Sequence, residues 1–149
     1  MKGCYIFDID GTLADSSHRV HHIMRTDGSP KDWDAYFAAL SHDKPILHMR
    51  DLARTLSTGN VYIVYVSGRP EESRKETLDW LVAHRCPEGR LYMRPVGDRR
   101  DDDIVKIELL AKLRADGFEP LLAFDDRTRV VKAWRAAGVP CAQVAEGDF

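Results

Sequence analysis

Two carboxylates, Asp8 and Asp10, close the run Cys4-Tyr5-Ile6-Phe7-Asp8-Ile9-Asp10-Gly11-Thr12-Leu13. Residues two apart on an extended strand point to the same side, so both acids are expected together at the end of an apolar segment. Two like charges there are costly unless a cation or a ligand answers them. The pattern points to a metal-assisted carboxylate site at the carboxyl end of a buried strand. Three further polar clusters follow: Ser67-Gly68-Arg69, Lys106 behind Asp102-Asp103, and Asp125-Asp126. Taken singly, each has an ordinary reading. The first is a turn, Asp101 to Asp103 cap and charge a helix start, and Asp125-Asp126 is a helix cap.

The elements that must position these residues alternate. Gly3 to Ile9 reads as a strand buried on both faces. Residues 14 to 45 are polar and irregular, with an amphipathic piece at 33 to 40. Pro45 opens a helix with Ile46, Met49, Leu52, Ala53 and Leu56 on one face, ended by Gly59. Val61 to Val66 is a β-branched strand, broken by Ser67-Gly68-Arg69-Pro70. Residues 71 to 85 are helical, with Leu78, Leu81 and Val82 inward. Leu91 to Met93 is a short strand. Asp101 or Asp102 caps a helix carrying Ile104, Val105, Ile107, Leu109, Leu110 and Leu113. Leu121 to Phe124 is a strand, Thr128 to Ala137 a helix and Cys141 to Val144 a final strand. Strand–helix alternation of this kind predicts an α/β fold with a doubly wound, mostly parallel sheet. Ligands of such sheets bind beyond the carboxyl ends of the strands, where strand order reverses. The four polar clusters fall at or behind those ends.

The 149 residues suit one domain with a sizeable core. A net charge of −2 advertises no global attraction to polyanions. It is silent about a local basic groove, to which Arg90, Arg94, Arg99, Arg100, Arg127, Arg129 and Arg135 could contribute; most are expected as salt-bridged surface. Three widely spaced cysteines, Cys4, Cys86 and Cys141, read as reduced thiols. The chain enters a strand almost at once, so no signal peptide is expected, and no apolar run approaches a membrane span. A cytoplasmic location is expected. No cysteine has an arginine six positions later, and no Gly-Lys pair exists; cysteine-phosphatase and phosphate-loop chemistries are excluded. His18, His21 and His22 are expected as exposed loop residues.

Together and in this order, the four clusters resemble the signature motifs of the haloacid dehalogenase superfamily, in its phosphatase branch. The resemblance implies a Rossmann-like fold with a minimal cap and Mg²⁺ as cofactor. It implies Asp8 as nucleophile and metal ligand, and Asp10 as general acid and base whose main-chain carbonyl also reaches the metal. Lys106 becomes the charge on the developing oxyanion. Thr12, Ser67 and Gly68 join the substrate-binding set. Asp126 aligns with a direct metal ligand and Asp125 with a supporting or water-mediated one, the ranking being open. Asp102, four residues before Lys106, is expected to hold it in place.

Nearly the whole chain, its second half above all, is similar to the 3′-phosphatase domain of bacteriophage polynucleotide kinase–phosphatases. The carriers are Asp125-Asp126-Arg127-Thr128-Arg129-Val130-Val131, Gly97 to Lys106, Val64 to Arg69 and the final Gly147-Asp148-Phe149. By that resemblance Arg19 and Arg69 contact phosphate or nucleotide, and Arg127 is a supporting residue. The expected reaction is removal of 3′-phosphates from RNA or DNA ends or 3′-nucleotides, with 2′,3′-cyclic phosphates as further substrates. One phosphatase domain over 1–149 with a short flap at about 14–45 is expected. These residues hold no kinase domain, and 5′-phosphorylation is not expected of them. A small-molecule phosphatase or nucleotidase of the same superfamily and a non-catalytic phosphate-end binding module are the alternatives; the intact Asp8 and Asp10 pair argues against the latter.

Overall fold

A computed structural model describes all residues, 1–149. Five parallel strands form the main sheet: β1 (Lys2–Phe7), β4 (Tyr62–Pro70), β5 (Arg90–Arg94), β6 (Phe118–Asp125) and β7 (Cys141–Gln143). Their order is β5-β4-β1-β6-β7. The chain builds outward from β1 to β4 and β5, then crosses back to lay β6 and β7 on the other side. Order reverses at β1, so the carboxyl ends of β1, β4 and β6 meet at the switch point. The expected doubly wound sheet is present.

Side-chain alternation on β1 sorts the core. Cys4 and Ile6 join Val64, Val66, Leu109, Leu113, Val131 and Trp134 on the face covered by α4 (Asp102–Ala115) and α5 (Thr128–Ala136). Phe7 joins Met49, Ala53, Ile63, Tyr65, Trp80 and Leu81 on the face covered by α2 (Leu47–Ser57) and α3 (Arg74–Ala83). The period of two carries past the strand end. Asp8 therefore continues toward α4 and α5, which decides its partners.

The element limits depart from sequence expectation in instructive places. Ser67-Gly68-Arg69-Pro70 is not a turn: β4 runs through it, with a register shift between Ser67 and Pro70 against β5. β6 begins at Phe118, three residues early, and accommodates Pro120 by a register shift between Cys4 and Tyr5 of β1. A proline lacks the donor that a regular ladder needs. Pro45 lies in a bridge rather than opening α2, which starts at Leu47. Leu81 on α3 faces inward as expected, but Leu78 and Val82 are exposed, and Thr77 and Trp80 take their place. Ile104 is likewise exposed, and Asp101 occupies the N-cap position of α4 without a side-chain cap bond.

Residues 14–45 are more ordered than their polarity suggests. The two-residue strands β2 (Ala14–Asp15) and β3 (Lys44–Pro45) pair antiparallel and tie the ends of the segment together. Between them lie a 3₁₀ turn, Ser17–His22, and the short helix α1 (Trp33–Ala38). Asp32 caps α1, its carboxylate accepting from the Ala35 amide. The cysteines are free thiols. No helix is long and apolar enough to cross a membrane.

Candidate active site

Asp8 extends the β1–β6 ladder by one residue, its amide donating to the Phe124 carbonyl at 3.0 Å. Its carboxylate accepts from the Lys106 ammonium at 2.7 Å and the Thr12 hydroxyl at 3.2 Å. Lys106 reaches it from the buried stripe of α4, among Val105, Leu109, Leu110 and Leu113. The same ammonium donates to Asp125 at 2.8 Å. Asp125 also accepts from the Trp134 indole and from the Arg127 amide. Thr12, expected to bind substrate, is fully buried and spends its hydroxyl on Asp8.

Asp126 differs from its neighbour. Its carboxylate packs over Gly11, where a Cβ would lie 2.1 Å from Oδ2. Gly11 has φ +83°, a conformation that glycine adopts without strain. The motif glycine therefore serves a close approach as well as a turn. Asp8, Asp125 and Asp126 offer carboxylate oxygens within 4.8 Å of one another. Burial, then the charge of Asp125, pushes Asp126 up to about 6. Burial and Asp125 likewise raise Asp8 well above the usual carboxylate range, against the pull of Lys106. Lys106 is itself shifted well upward: burial disfavours its charge, but Asp125 and Asp8 outweigh that. Three carboxylates thus face one ammonium. An all-oxygen donor set with surplus negative charge fits a hard divalent cation such as Mg²⁺. Asp125 is consumed by Lys106 and Trp134, which leaves Asp126 the freer ligand of the pair.

Asp10 is placed quite differently. Its carboxylate does not join that cluster; Arg19 donates to it at 2.5 Å and Arg69 at 2.7 Å. Burial would raise its pKa, but the two guanidiniums prevail and hold it at about 2. Arg19 comes from the 3₁₀ turn and Arg69 from the end of β4, and both side chains are fully buried. Arg69 also donates to the Thr77 hydroxyl of α3. The Arg19 guanidinium lies 4.2 Å from the centre of the Tyr36 ring and donates to the Tyr36 carbonyl.

A second carboxylate completes this arrangement, and sequence reasoning missed it. Asp43 is buried and accepts from Arg19 Nε at 2.8 Å, Arg19 again at 2.7 Å and Arg69 at 3.1 Å. Its carbonyl is fixed by the Trp80 indole at 2.9 Å. His18 lies 2.6 Å from Asp43, so it is tied in rather than idle; the His21 and His22 rings lie 4.0 Å apart, tilted at 41°. Asp43 belongs to no motif. The signal available was a charge count, since two buried arginines need more than Asp10 alone.

Asp102 corrects another expectation. It does not bond Lys106. It accepts from Arg94 and, at 3.4 Å, from Arg127. A Cβ on Gly68 would sit 2.3 Å from Asp102 Oδ1, so Gly68 makes room for this carboxylate. Ser67 is buried, and its hydroxyl accepts from the Arg69 amide at 3.1 Å, locking the bulge that aims Arg69. Arg127 additionally donates to the Phe149 carbonyl at 2.5 Å and lies over its ring. Of the late arginines, Arg90, Arg94, Arg100, Arg127 and Arg129 pair with carboxylates, as expected of a salt-bridged surface. Arg135 bonds the Cys141 carbonyl.

Residues 2–149 match the family described as polynucleotide kinase PNKP phosphatase domain. A putative bifunctional polynucleotide kinase/RNA ligase of Autographa californica nuclear polyhedrosis virus is 27% identical over 135 residues, 89% of this chain and 18% of that protein. A chain of the solved Pnkp1/Rnl/Hen1 RNA repair complex superposes with TM-score 0.85 and 25% identity, covering all of this chain and 44% of that one. The class C acid phosphatase of Bacillus anthracis shares the fold at TM-score 0.65 and 16% identity, over 97% of this chain and 68% of that one. The chain spans less than a fifth of the viral relative and under half of the repair-complex chain. With four motifs gathered at the switch point of such a sheet, the chain is a phosphatase of haloacid dehalogenase fold and belongs to the polynucleotide kinase PNKP phosphatase domain family.

Proposed function

We propose that this chain is a Mg²⁺-dependent phosphohydrolase that removes 3′-phosphates from polynucleotide ends or 3′-nucleotides, with 2′,3′-cyclic phosphates as a second substrate class. The observation that carries the reading is the pairing of Asp8, held by Lys106 and Thr12, with Asp10, held by Arg19 and Arg69. One supplies an attacking oxygen and the other a group that can exchange a proton.

An Asp8 carboxylate oxygen attacks phosphorus, and the bond from phosphorus to the leaving sugar oxygen breaks. Asp10 gives the leaving oxygen its proton. Asp10 then takes a proton from water, whose oxygen attacks the aspartyl-phosphate; the Asp8 oxygen–phosphorus bond breaks and inorganic phosphate leaves. An acid held at about 2 carries no proton at neutral pH. Incoming phosphate oxygens compete for the Arg19 and Arg69 donors, and each donor drawn away raises the proton affinity of Asp10. Lys106 offsets charge on the attacking side. Asp8 and Asp126, with the Asp10 main-chain carbonyl and Asp125 in support, would hold Mg²⁺. When bound, the ion supplies charge neutralisation on the phosphoryl oxygens. Asp43 and Asp102 act through their arginines and are positioning residues.

The 3′-end specificity is supported by the family match and by the polynucleotide repair names of its relatives. A small flap, tied at its base by β2 and β3, suits a polymer end better than an enclosing cap would. We read residues 1–149 as one phosphatase domain with that flap as its insertion, acting in the cytoplasm. The test compares phosphate release from matched 3′-phosphorylated RNA, DNA and mononucleotides with Mg²⁺. Release from 3′-phosphorylated oligonucleotides is expected. No release from them, or faster turnover of sugar phosphates, would sink the reading.

A further inference from the structure

A cleft of about 390 Å³ separates the flap from the loop between β5 and α4. Arg25, Lys31, Asp32, Trp33 and Asp34 line it from the flap, and Arg99 from the loop. Trp33 is 41% exposed and lies nearly parallel to Phe37, with ring centres 5.8 Å apart. The Lys31 ammonium sits 5.6 Å from the Trp33 ring. Neither Lys31 nor Arg99 pairs with any carboxylate, although five of the other late arginines do. Asp32 is engaged in capping α1. A second cleft, of about 300 Å³, shares Asp34 as a wall but is otherwise lined by Glu72 and Glu76 among its charged groups. The first cleft sets three cationic side chains against Asp32 and Asp34, whereas every charged group of the second is acidic.

Both walls of the cationic cleft are anchored in the catalytic machinery. Arg99 lies three residues before Asp102, and its loop is fastened by Arg94 to the Gly68, Asp98 and Arg100 carbonyls. Trp33 meets Tyr36 edge-on at 5.6 Å, and the Tyr36 ring carries Arg19. A strand whose terminal phosphate reaches Arg19 therefore has a cationic, aromatic surface at hand for the nucleotides behind it. We propose that this cleft binds a base and the adjoining phosphodiesters of a single-stranded polynucleotide, upstream of the 3′-terminal phosphate. Trp33 is the stacking platform, and Arg25, Lys31 and Arg99 are the phosphate contacts. The inference rests on the end-processing reading above.

The test measures fluorescence anisotropy of 5′-labelled single-stranded octamers, RNA and DNA, each with a 3′-hydroxyl so that binding is read without turnover. Wild-type protein should bind at least one octamer. Trp33→Leu should weaken binding roughly 5- to 100-fold with little change in salt dependence, the scale of one lost base–aromatic stack. Arg99→Gln and Lys31→Gln should each lower the slope of log K against log salt by about 0.7, the signature of one lost phosphate contact on a single strand. Glu72→Gln in the acidic cleft should change neither quantity. Absence of octamer binding by the wild type, or unchanged affinity and slope in both Arg99→Gln and Lys31→Gln, overturns the proposal. Phosphate release from 3′-phosphorylated versions of the same octamers separates the two readings. Binding that the variants weaken, without release, overturns the activity and supports the cleft; release with variant-insensitive binding overturns the cleft alone.

Discussion

Asp8 and Asp10 are two residues apart in sequence, yet their carboxylates occupy opposite electrostatic surroundings. Asp8 shares a single ammonium with Asp125 and has Asp126 beside it, so three acids face one base. Asp10 shares two guanidiniums with Asp43, so two acids face two bases. The first region is short of positive charge, and Asp8 and Asp126 are pushed upward. The second is balanced, and Asp10 is held down at about 2. Sheet geometry separates them. Asp8 follows Cys4 and Ile6 toward α4 and α5, whereas Arg69 and Asp43 are tied to Thr77 and Trp80 of α3 on the other face. The first region has the surplus of acid that suits a cation, and the second has its donors already matched by acids.

The largest expected effect removes the proposed nucleophile from the cation-poor side. Asp8→Asn should lower kcat at least ~10⁴-fold and abolish acid-stable trapping of a phosphoenzyme. Near-normal activity in that variant would end the division of roles between the two regions.

A paired substitution tests the division directly. Asp126→Asn should raise the Mg²⁺ concentration needed for half-maximal activity. Asp43→Asn, at equal folded fraction, should lower kcat/KM by about 10- to 100-fold, as loss of an orienting partner does at comparable sites, and should alter the pH profile without moving the Mg²⁺ requirement. If both variants shift the Mg²⁺ requirement alike, the regions are one coupled unit. Asp43→Ala is less informative, because breaking a buried ion pair costs about 3–5 kcal/mol in stability.

A smaller effect concerns stability. The Asp126 pKa lies near 6 when folded, against 3.8 for the free side chain, so the folded state binds this proton more tightly than the unfolded chain. In metal-free protein this favours folding below about pH 4 and is lost as pH rises through 6. Mg²⁺ should replace the lost proton. At a hundred times its dissociation constant at pH 7.5 it adds ~2.7 kcal/mol, worth about 5–10 °C in Tm for a chain of this size, and the same Mg²⁺ concentration should give a smaller shift at pH 5. Calorimetry at the two pH values checks this; an equal shift at both would remove the carboxylate cluster as the binding site.

The cation-poor region was far more legible in the sequence than the balanced one. Asp8, Lys106 and Asp125-Asp126 fall at or behind strand ends, where a ligand of such a sheet is expected, and the resemblance of the ordered set joins them in one site. Arg19 was reached by resemblance and Asp43 not at all, because both belong to a polar segment whose order comes from tertiary contacts such as the Tyr36 ring and the Trp80 indole. Sequence spacing also misled at Asp102. Four residues place it on the same helix face as Lys106, but Lys106 is drawn to the two buried acids and Asp102 to Arg94. At Ser67 to Pro70, turn-forming residue types were overridden by pairing with β5.

The strand order has a bearing on how this protein acquires its activity at all. β1 pairs with β4, which begins at Tyr62, and with β6, which begins at Phe118. Asp8, the Ser67–Arg69 bulge and the Asp125-Asp126 pair therefore share no local contact during folding. They meet only when the most distant segments of the chain have found each other, the slowest kind of event in forming a parallel sheet. Return of catalysis after denaturation thus reports completion of the central sheet, and a partly folded chain, however helical, carries isolated motifs and no enzyme.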